Sequence, residues 1–440
     1  MQRFSQNSKT KKPGQQPLRI IRLQINLFNP TTPLLFDIMK SLILAAGEGL
    51  RLRPITETIP KVMIPLAGTP IIEYVVNALV KNGITDISIV VGYKKEAVMD
   101  HFGDGARFGA KISYVFQERQ LGTAHALLVS QSALEGESEF LVLGGDNVIF
   151  AETLYSLLES SCHAPALLAK NEPHNVSQYG AVTLKGKNLV EKLDEKPRNS
   201  DGALISLGIY KFNGSVFDVA KRCVGRGELT IPHIIRELTT QKFGVRAVVT
   251  DGAWMDVVYP WDMLKVNGEL MSSLLGSTAG TIEEGVVIKG NVEIGRGSTI
   301  RSGSYIVGPV RIGAGCDIGP CAYVSQSTLI GDNAAIGPFS CIKNSLVGSD
   351  SKIGSGCRIS DSIISQGAAI GSNSSNTSGP CRIEVGNTYE KAELFGFLAG
   401  EDVVIGDGVV AREGTILGRG CNVAPLKVIQ GTIPSNARVI

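Results

Sequence analysis

"VEIGRGSTIRSGSYIVGPVRIGAGCDIG", residues 292–319, repeats an aliphatic side chain at every sixth position: Ile294, Ile300, Ile306, Ile312 and Ile318. The same register reaches back to Ile282 and Ile288 and forward through Val324, Ile330, Ile336 and Ile342. A period of six suits neither the 3.6 of an α-helix nor the two of an ordinary strand. It suits a parallel β-helix, in which each short side turns one aliphatic residue inward and small residues make the corners. The register slips by one residue between Ile342 and Val347, continues through Ile353 and Ile359, and resumes at Ile405, Ala411, Leu417, Val423 and Ile429. Between the two arrays, 371–398 breaks the rule and reads as an excursion from the coils. A β-helix domain is therefore expected over 279–440.

Upstream the period is different. "SLILAAG" (residues 41–47), "DISIVVGY" (86–93) and "EFLVLGGD" (139–146) read as buried strands, and helical patterns such as "PIIEYVVNALVKNG" (70–83) lie between them. Strand–helix alternation over 39–275 predicts an α/β domain built on a mixed, mostly parallel sheet covered on both faces. Ligands of such sheets bind beyond the carboxyl ends of the strands.

The composition excludes several classes. Of 440 residues, 43% are hydrophobic and 19% charged, as in globular proteins, and the formal net charge of +2 gives no general attraction to nucleic acid or membrane. No apolar run is long enough for a membrane span. Eight cysteines without a C-x-x-C spacing read as reduced thiols, which predicts a cytoplasmic setting. Residues 1–38 are basic and polar, and are expected to form a disordered extension ahead of Met39.

Directly after the first buried run comes "GEGLRLRPITETIPK" (47–61). Gly47 and Gly49 interpose no Cβ between backbone amides and an anion, and Arg51, Arg53 and Lys61 stand ready to neutralise it. The stretch "LAAGEGLRLRPITETIPK" resembles the signature of the sugar-1-phosphate nucleotidylyltransferases, with Leu50 in place of a commonly small polar residue. The resemblance implies a Rossmann-like first domain, with further family segments following in order through residue 265. It implies that Leu44, Ala45, Ala46, Gly47 and Gly49 cradle a nucleoside triphosphate, that Arg51 holds the departing pyrophosphate and that Lys61 bridges phosphates at the reacting centre.

"QERQLGTAHAL" (117–127) carries the base preference. Gln117 can pair two ways with the imide edge of a pyrimidine, and the Gly122 amide, with Thr123 beside it, can approach the base closely. This pattern is nearer the uridylyl and thymidylyl members, so UTP or dTTP is expected. His125 is read as a helix-start residue rather than a general base. Asp146 in "LVLGGDN" and Asp256 in "WMDVVYPWDML" match the family acids that hold Mg²⁺, with Asp262 the competing choice. "YGAV" (179–182) and "LDEKPRNS" (193–200) match the sugar segments, which implies that Gly180, Glu195 and Lys196 meet the sugar and its phosphate. Ser206 stands where the nearest uridylyl relatives carry asparagine, leaving N-acetylglucosamine 1-phosphate and glucose 1-phosphate both open as the sugar-phosphate partner.

The whole layout resembles bifunctional enzymes that join a uridylyltransferase to a left-handed β-helix acetyltransferase, and implies a homotrimer or higher oligomer formed through the β-helix. Yet every histidine (His101, His125, His163, His174 and His233) precedes residue 234, so the second half lacks the base that acetyl transfer uses in those relatives. A structural, oligomerising or regulatory β-helix is expected. The alternatives are an added acetylation of glucosamine 1-phosphate, or a non-catalytic regulatory relative. Retention of Arg51, Lys61, Asp146 and Asp256 speaks against the latter.

Overall fold

The computed structural model describes residues 39–440 except 173–175, 196, 198–203, 242–243 and 387, and of residue 177 the backbone alone. The extension expected over 1–38, His174 and the sugar-segment Lys196 lie outside the described residues.

Nine strands form the sheet of the first region, in the spatial order 111–116, 86–91, 40–44, 140–144, 204–212, 166–171, 246–249, 189–195, 180–185. The first four are all parallel, as their strand–helix alternation predicts. The strand Leu204–Phe212 then runs antiparallel to both of its neighbours. This far half is mixed: 189–195 and 204–212 each pair antiparallel with 180–185, while 246–249 runs parallel to 166–171. Two apolar clusters cover the sheet, one on each face. The helix Ile71–Lys81 contributes Ile72, Val75, Val76 and Leu79 to one, and the helices Val216–Gly225 and Ile231–Thr239 pack into the other.

From Ser277 onward, three parallel sheets of nine, nine and eight short strands run the length of a β-helix. The six-residue period becomes columns one full coil apart: Ile282 pairs with Ile300, Ile300 with Ile318, and Ile318 with Ile336. From Ile300 onward these residues line a continuous apolar core that runs to Ile429, while Ile282 in the first coil is exposed. At the register slip the coil is simply one residue shorter, and Ile330 still stacks on Val347. Corner glycines are dictated by stacking; a Cβ on Gly295 would lie 2.4 Å from the Gly313 carbonyl oxygen of the next coil. Within 371–398 the chain first completes Ser375–Asn376, in ladder with Val410–Ala411. It then leaves as an antiparallel hairpin, 379–395, and returns at Phe397–Ala399.

One outward column of the β-helix (Leu329, Leu346, Ile363, Leu398 and Ile416) joins Leu66, Ile71, Met263, Val266 and Leu270 in a single buried cluster, so the two regions share a core. Asn267, fully buried, bridges them: its Oδ1 accepts from the Ala67 amide at 2.9 Å and its Nδ2 donates to the Ser327 carbonyl at 2.7 Å. Arg311 donates to the Ala67 carbonyl at 2.6 Å, and Ser435, near the last coil, donates to Glu57 at 2.9 Å. Among the described residues no helix is long and apolar enough to cross a membrane.

Candidate active site

Four neighbouring parallel strands release their chains at one sheet edge. Lys40–Leu44 leads into the loop 45–61, Asp86–Val91 into Gly92, Lys111–Phe116 into Gln117, and Phe140–Gly144 into Asp146. The residues singled out between Leu44 and Lys61, together with Gln117 and Asp146, therefore emerge side by side.

The loop 45–61 is tied down along its length. Leu52 and Ile55 are buried anchors, Thr56 donates from its hydroxyl to the Gly49 carbonyl at 2.9 Å, and Tyr93 donates to the Thr56 carbonyl at 2.8 Å. Its two glycines differ. Gly49 has φ +68°, and a Cβ there would stand 2.8 Å from the Lys61 Cβ and 3.2 Å from the Thr56 Cγ2. A Cβ on Gly47 would meet nothing within 4 Å. Gly49 thus keeps the Lys61 stem in place, while Gly47 leaves open space.

Lys61 is the hub. Its ammonium lies 2.6 Å from Asp146 Oδ2 and 3.6 Å from Asp256 Oδ1. The two carboxylates are 110 positions apart in the chain but meet because Asn147–Ile149 and Trp254–Asp256 form an antiparallel ribbon that sets Asp256 opposite Asn147. Gly144 makes room for the first of them; a Cβ there would lie 2.9 Å from Asp146 Oδ1. Burial alone would lower the Lys61 pKa, but the charges of Asp146 and Asp256 override it and hold the ammonium above its ordinary value. Burial works against the Asp146 carboxylate too, and Lys61 holds its pKa below normal. For Asp256 burial wins: its pKa is pushed up to about 6 against the pull of Lys61, with Asp146 adding to the rise.

Asp262 is engaged otherwise. Its Oδ2 accepts from the Val258 and Tyr259 amides at 3.0 and 2.8 Å, capping the helix Pro260–Met271. Asp256 Oδ1, by contrast, is buried and accepts no hydrogen bond. Two carboxylates that meet at Lys61, one of them with a buried oxygen that takes no hydrogen bond, are a donor set that fits a hard divalent cation. A second group of donors, Cys223, Glu228 and Glu237, lies within 4.8 Å. Its carboxylates are already paired with Arg222, Arg226 and Arg236, so it offers a cation no free charge.

Gln117 is buried. Its Nε2 donates to the Gly122 carbonyl at 3.1 Å and lies 3.0 Å from His125 Nδ1, which must accept because the amide nitrogen only donates. The Gln117 Oε1 remains an acceptor. Gly122 (φ +116°) is obligatory, since a Cβ would come within 2.4 Å of the Leu229 carbonyl oxygen. Thr123 Oγ1 accepts from the Ile231 amide at 2.9 Å, and the Ala124 amide donates to Leu229 at 2.9 Å. The 229–231 segment as a clamp escaped the sequence reading because contacts across about 100 residues leave no periodic signal, and His125 as an orienting group escaped it because its partner lies eight residues back, outside the helix.

Gly180 sits in ladder beside both Glu195 and Ser206, so three sugar-segment positions are cross-strand neighbours. The Glu195 side chain is exposed. Tyr179 meets Trp254 edge to face at 5.2 Å, linking this strand to the ribbon that bears Asp256. Arg51 stands apart from the Lys61 cluster. It is exposed, its guanidinium carbon lies 6.0 Å from the Tyr259 ring centroid, and among the described residues it has no carboxylate partner.

Residues 40–273 match the model of the nucleotidyl transferase family, and residues 288–440 match that of the GMPPB C-terminal domain. The chain is 38% identical over 264 residues to the bifunctional protein GlmU of Methanococcus maripaludis, an alignment covering 59% of this chain and 61% of that protein. It therefore spans less than two thirds of that relative's length. It is 35% identical to the bifunctional protein GlmU of Methanocaldococcus jannaschii over 91% of this chain and 97% of the other. It is 34% identical to a glucose-1-phosphate thymidylyltransferase of Streptomyces antibioticus over 88% and 93%.

Proposed function

Because this chain belongs to the nucleotidyl transferase family, we propose that it transfers a nucleotidyl group from UTP or dTTP to a sugar 1-phosphate, with Mg²⁺, releasing pyrophosphate. The acceptors proposed are N-acetylglucosamine 1-phosphate and glucose 1-phosphate. One observation carries the reading: Lys61, Asp146 and the buried Asp256 oxygen that takes no hydrogen bond converge at the edge where four parallel strands end.

In this reading a phosphate oxygen of the sugar 1-phosphate attacks the α-phosphorus in line. A new phosphorus–oxygen bond forms as the bond to pyrophosphate breaks, and no nucleophilic side chain takes part. Leu44 to Gly47 and Gly49 line the path of the triphosphate, Lys61 neutralises charge at the reacting phosphates, and Arg51 receives the pyrophosphate. Asp146 and Asp256 would hold the cation, which supplies charge neutralisation between the phosphates when bound. With its amide nitrogen already used, Gln117 presents Oε1 to the N3–H of uracil or thymine, and the Gly122 amide with Thr123 serves the base alongside it. Gly180 and Glu195 take the sugar, and Lys196 its phosphate.

We further assign the protein to the cytoplasm, acting on small molecules rather than nucleic acid or membrane. We propose a homotrimer or higher oligomer formed through the β-helix, whose outward Tyr305–Tyr323 stack and 71%-exposed Phe339 offer apolar surface. Pyrophosphate release measured across four nucleoside triphosphates and a panel of sugar 1-phosphates tests the assignment. No turnover with UTP or dTTP, whatever the acceptor, would sink it.

A second reading adds acetylation of glucosamine 1-phosphate by the β-helix. The alignment over 91% of the chain with a bifunctional relative favours it; the lack of any histidine beyond His233 opposes it. Thiol release from acetyl-CoA with glucosamine 1-phosphate decides between the two.

A further inference from the structure

The hairpin 379–395 is not needed to continue the β-helix. The coils stack directly across its point of departure, Ile363 on Leu398 and Ile370 on Ile405. Its inner face, with Ile383, Ala392 and Phe395 buried, instead joins the cluster that contains Val257 and Met263 of the catalytic region. From there a chain of rings leads to the site. Phe395 meets Trp261 edge-on at 6.0 Å, Trp261 stacks on Tyr259 at 4.8 Å and 15°, and the Arg51 guanidinium lies 6.0 Å from the Tyr259 centroid. Glu390 of the same hairpin faces the Tyr259 hydroxyl; after burial, it is the next cause that raises that phenol's pKa.

We infer that this hairpin is a positioning element for nucleotidyl transfer, holding Arg51 for pyrophosphate through Phe395, Trp261 and Tyr259. The inference rests on the proposed role of Arg51. A guanidinium that must receive a highly charged leaving group should not be spent on a resident carboxylate, because that pair would have to break at each turnover. A long, exposed side chain with no partner is dispersed over many rotamers. An aromatic face resolves the conflict: it restricts the guanidinium without consuming its hydrogen-bond donors. Trp261 and the hairpin fix the plane of that face. The β-helix thereby takes part in the chemistry of the first region without contributing an atom to the substrate.

The test uses the full chain and magnesium pyrophosphate as the probe, with affinity from calorimetry and KM values from the reverse reaction. Tyr259→Leu removes the ring that faces Arg51. Phe395→Leu keeps the hairpin apolar but removes the edge contact on Trp261, far from any substrate. Both should weaken pyrophosphate binding about two- to fivefold, the range of a cation–π contact. The KM for the nucleotide sugar should change less than about twofold, a split that general loosening of the fold would not produce. In an Arg51→Ala background neither substitution should add a further loss. Wild-type pyrophosphate affinity in both variants, with the affinity lost in Arg51→Ala, would overturn the hairpin inference alone. If the unmodified protein binds no pyrophosphate, the proposed function fails first and this inference falls with it.

Discussion

Alanine at Gly49 should damage catalysis far more than stability, whereas alanine at Gly47 should leave stability untouched. At φ +68° an L-residue costs about 1–2 kcal/mol, which in a chain of this size lowers the thermal midpoint by a few degrees. The new Cβ would also stand 2.8 Å from the Lys61 Cβ, roughly 1 Å inside ordinary carbon–carbon contact. Thr56 Cγ2, at 3.2 Å, gives little room on the other side, so the Lys61 stem must yield. Its ammonium is held 2.6 Å from Asp146, and a misplacement of about 1 Å at a reacting centre costs on the order of a hundredfold in rate. Gly47→Ala meets no protein atom within 4 Å, so its thermal midpoint should match the parent. Its methyl projects into the space assigned to the phosphates, and the KM for the triphosphate should rise at least about tenfold. Thermal unfolding followed by fluorescence, paired with initial-rate pyrophosphate release at varied UTP and dTTP, reads both effects. A Gly49→Ala protein with parental kcat would refute the idea that this glycine positions Lys61. Parental KM in Gly47→Ala would show that phosphates do not pass there.

Other outcomes follow from the same geometry. Lys61→Met removes the cation shared by two carboxylates and should lower kcat by about a thousandfold while far-ultraviolet dichroism is preserved; activity within tenfold of the parent would exclude Lys61 from the reacting centre. The Asp256 carboxyl, raised from 3.8 to about 6, keeps a proton in the folded chain that the unfolded chain releases. Its contribution to stability therefore falls as pH rises from about 4 to 6, whereas the lowered Asp146 contributes stability above pH 3.8 that is lost on acidification below it. A divalent cation must displace the Asp256 proton, so Mg²⁺ affinity should fall by up to about tenfold per pH unit below 6; calorimetric affinity that stays flat between pH 7.5 and 5 would contradict this. Asn267→Ala strands the Ala67 amide and the Ser327 carbonyl in the shared core and should cost about 2–5 kcal/mol in denaturant unfolding, with a loss under 1 kcal/mol refuting the bridge.

The β-helix was legible because its period is a property of sequence alone. Each coil repeats the same inward demand, so Ile282 to Ile342 announce their columns without reference to anything distant. The parallel half of the sheet was legible for a similar reason, since short apolar runs alternate there with helical ones. The site was legible as a set of segments but not as an arrangement. Nothing near Asp256 says that the ribbon 147–149/254–256 sets it beside Asp146, or that Asp262, six residues on, is consumed by capping. The reading of His125 as a helix-start residue missed its hold on Gln117, because the partner lies outside the helix. The role of the stretch 371–398 was invisible too: Phe395 finds Trp261 only because the coils place the hairpin at one height.

That height has a consequence for how such a chain could lengthen or shorten. A coil is a unit of thread about 4.8 Å deep. Inserting one of about eighteen residues below the hairpin would satisfy every inward column and still lift Phe395 a full notch past Trp261, breaking the ring contact while the core stayed whole. The same insertion beyond Leu417 would leave that contact where it is, though it would carry Ser435 away from Glu57. The β-helix is a graduated scale whose lower marks are fixed by the neighbour it reaches, and whose upper marks answer to the bond between Ser435 and Glu57.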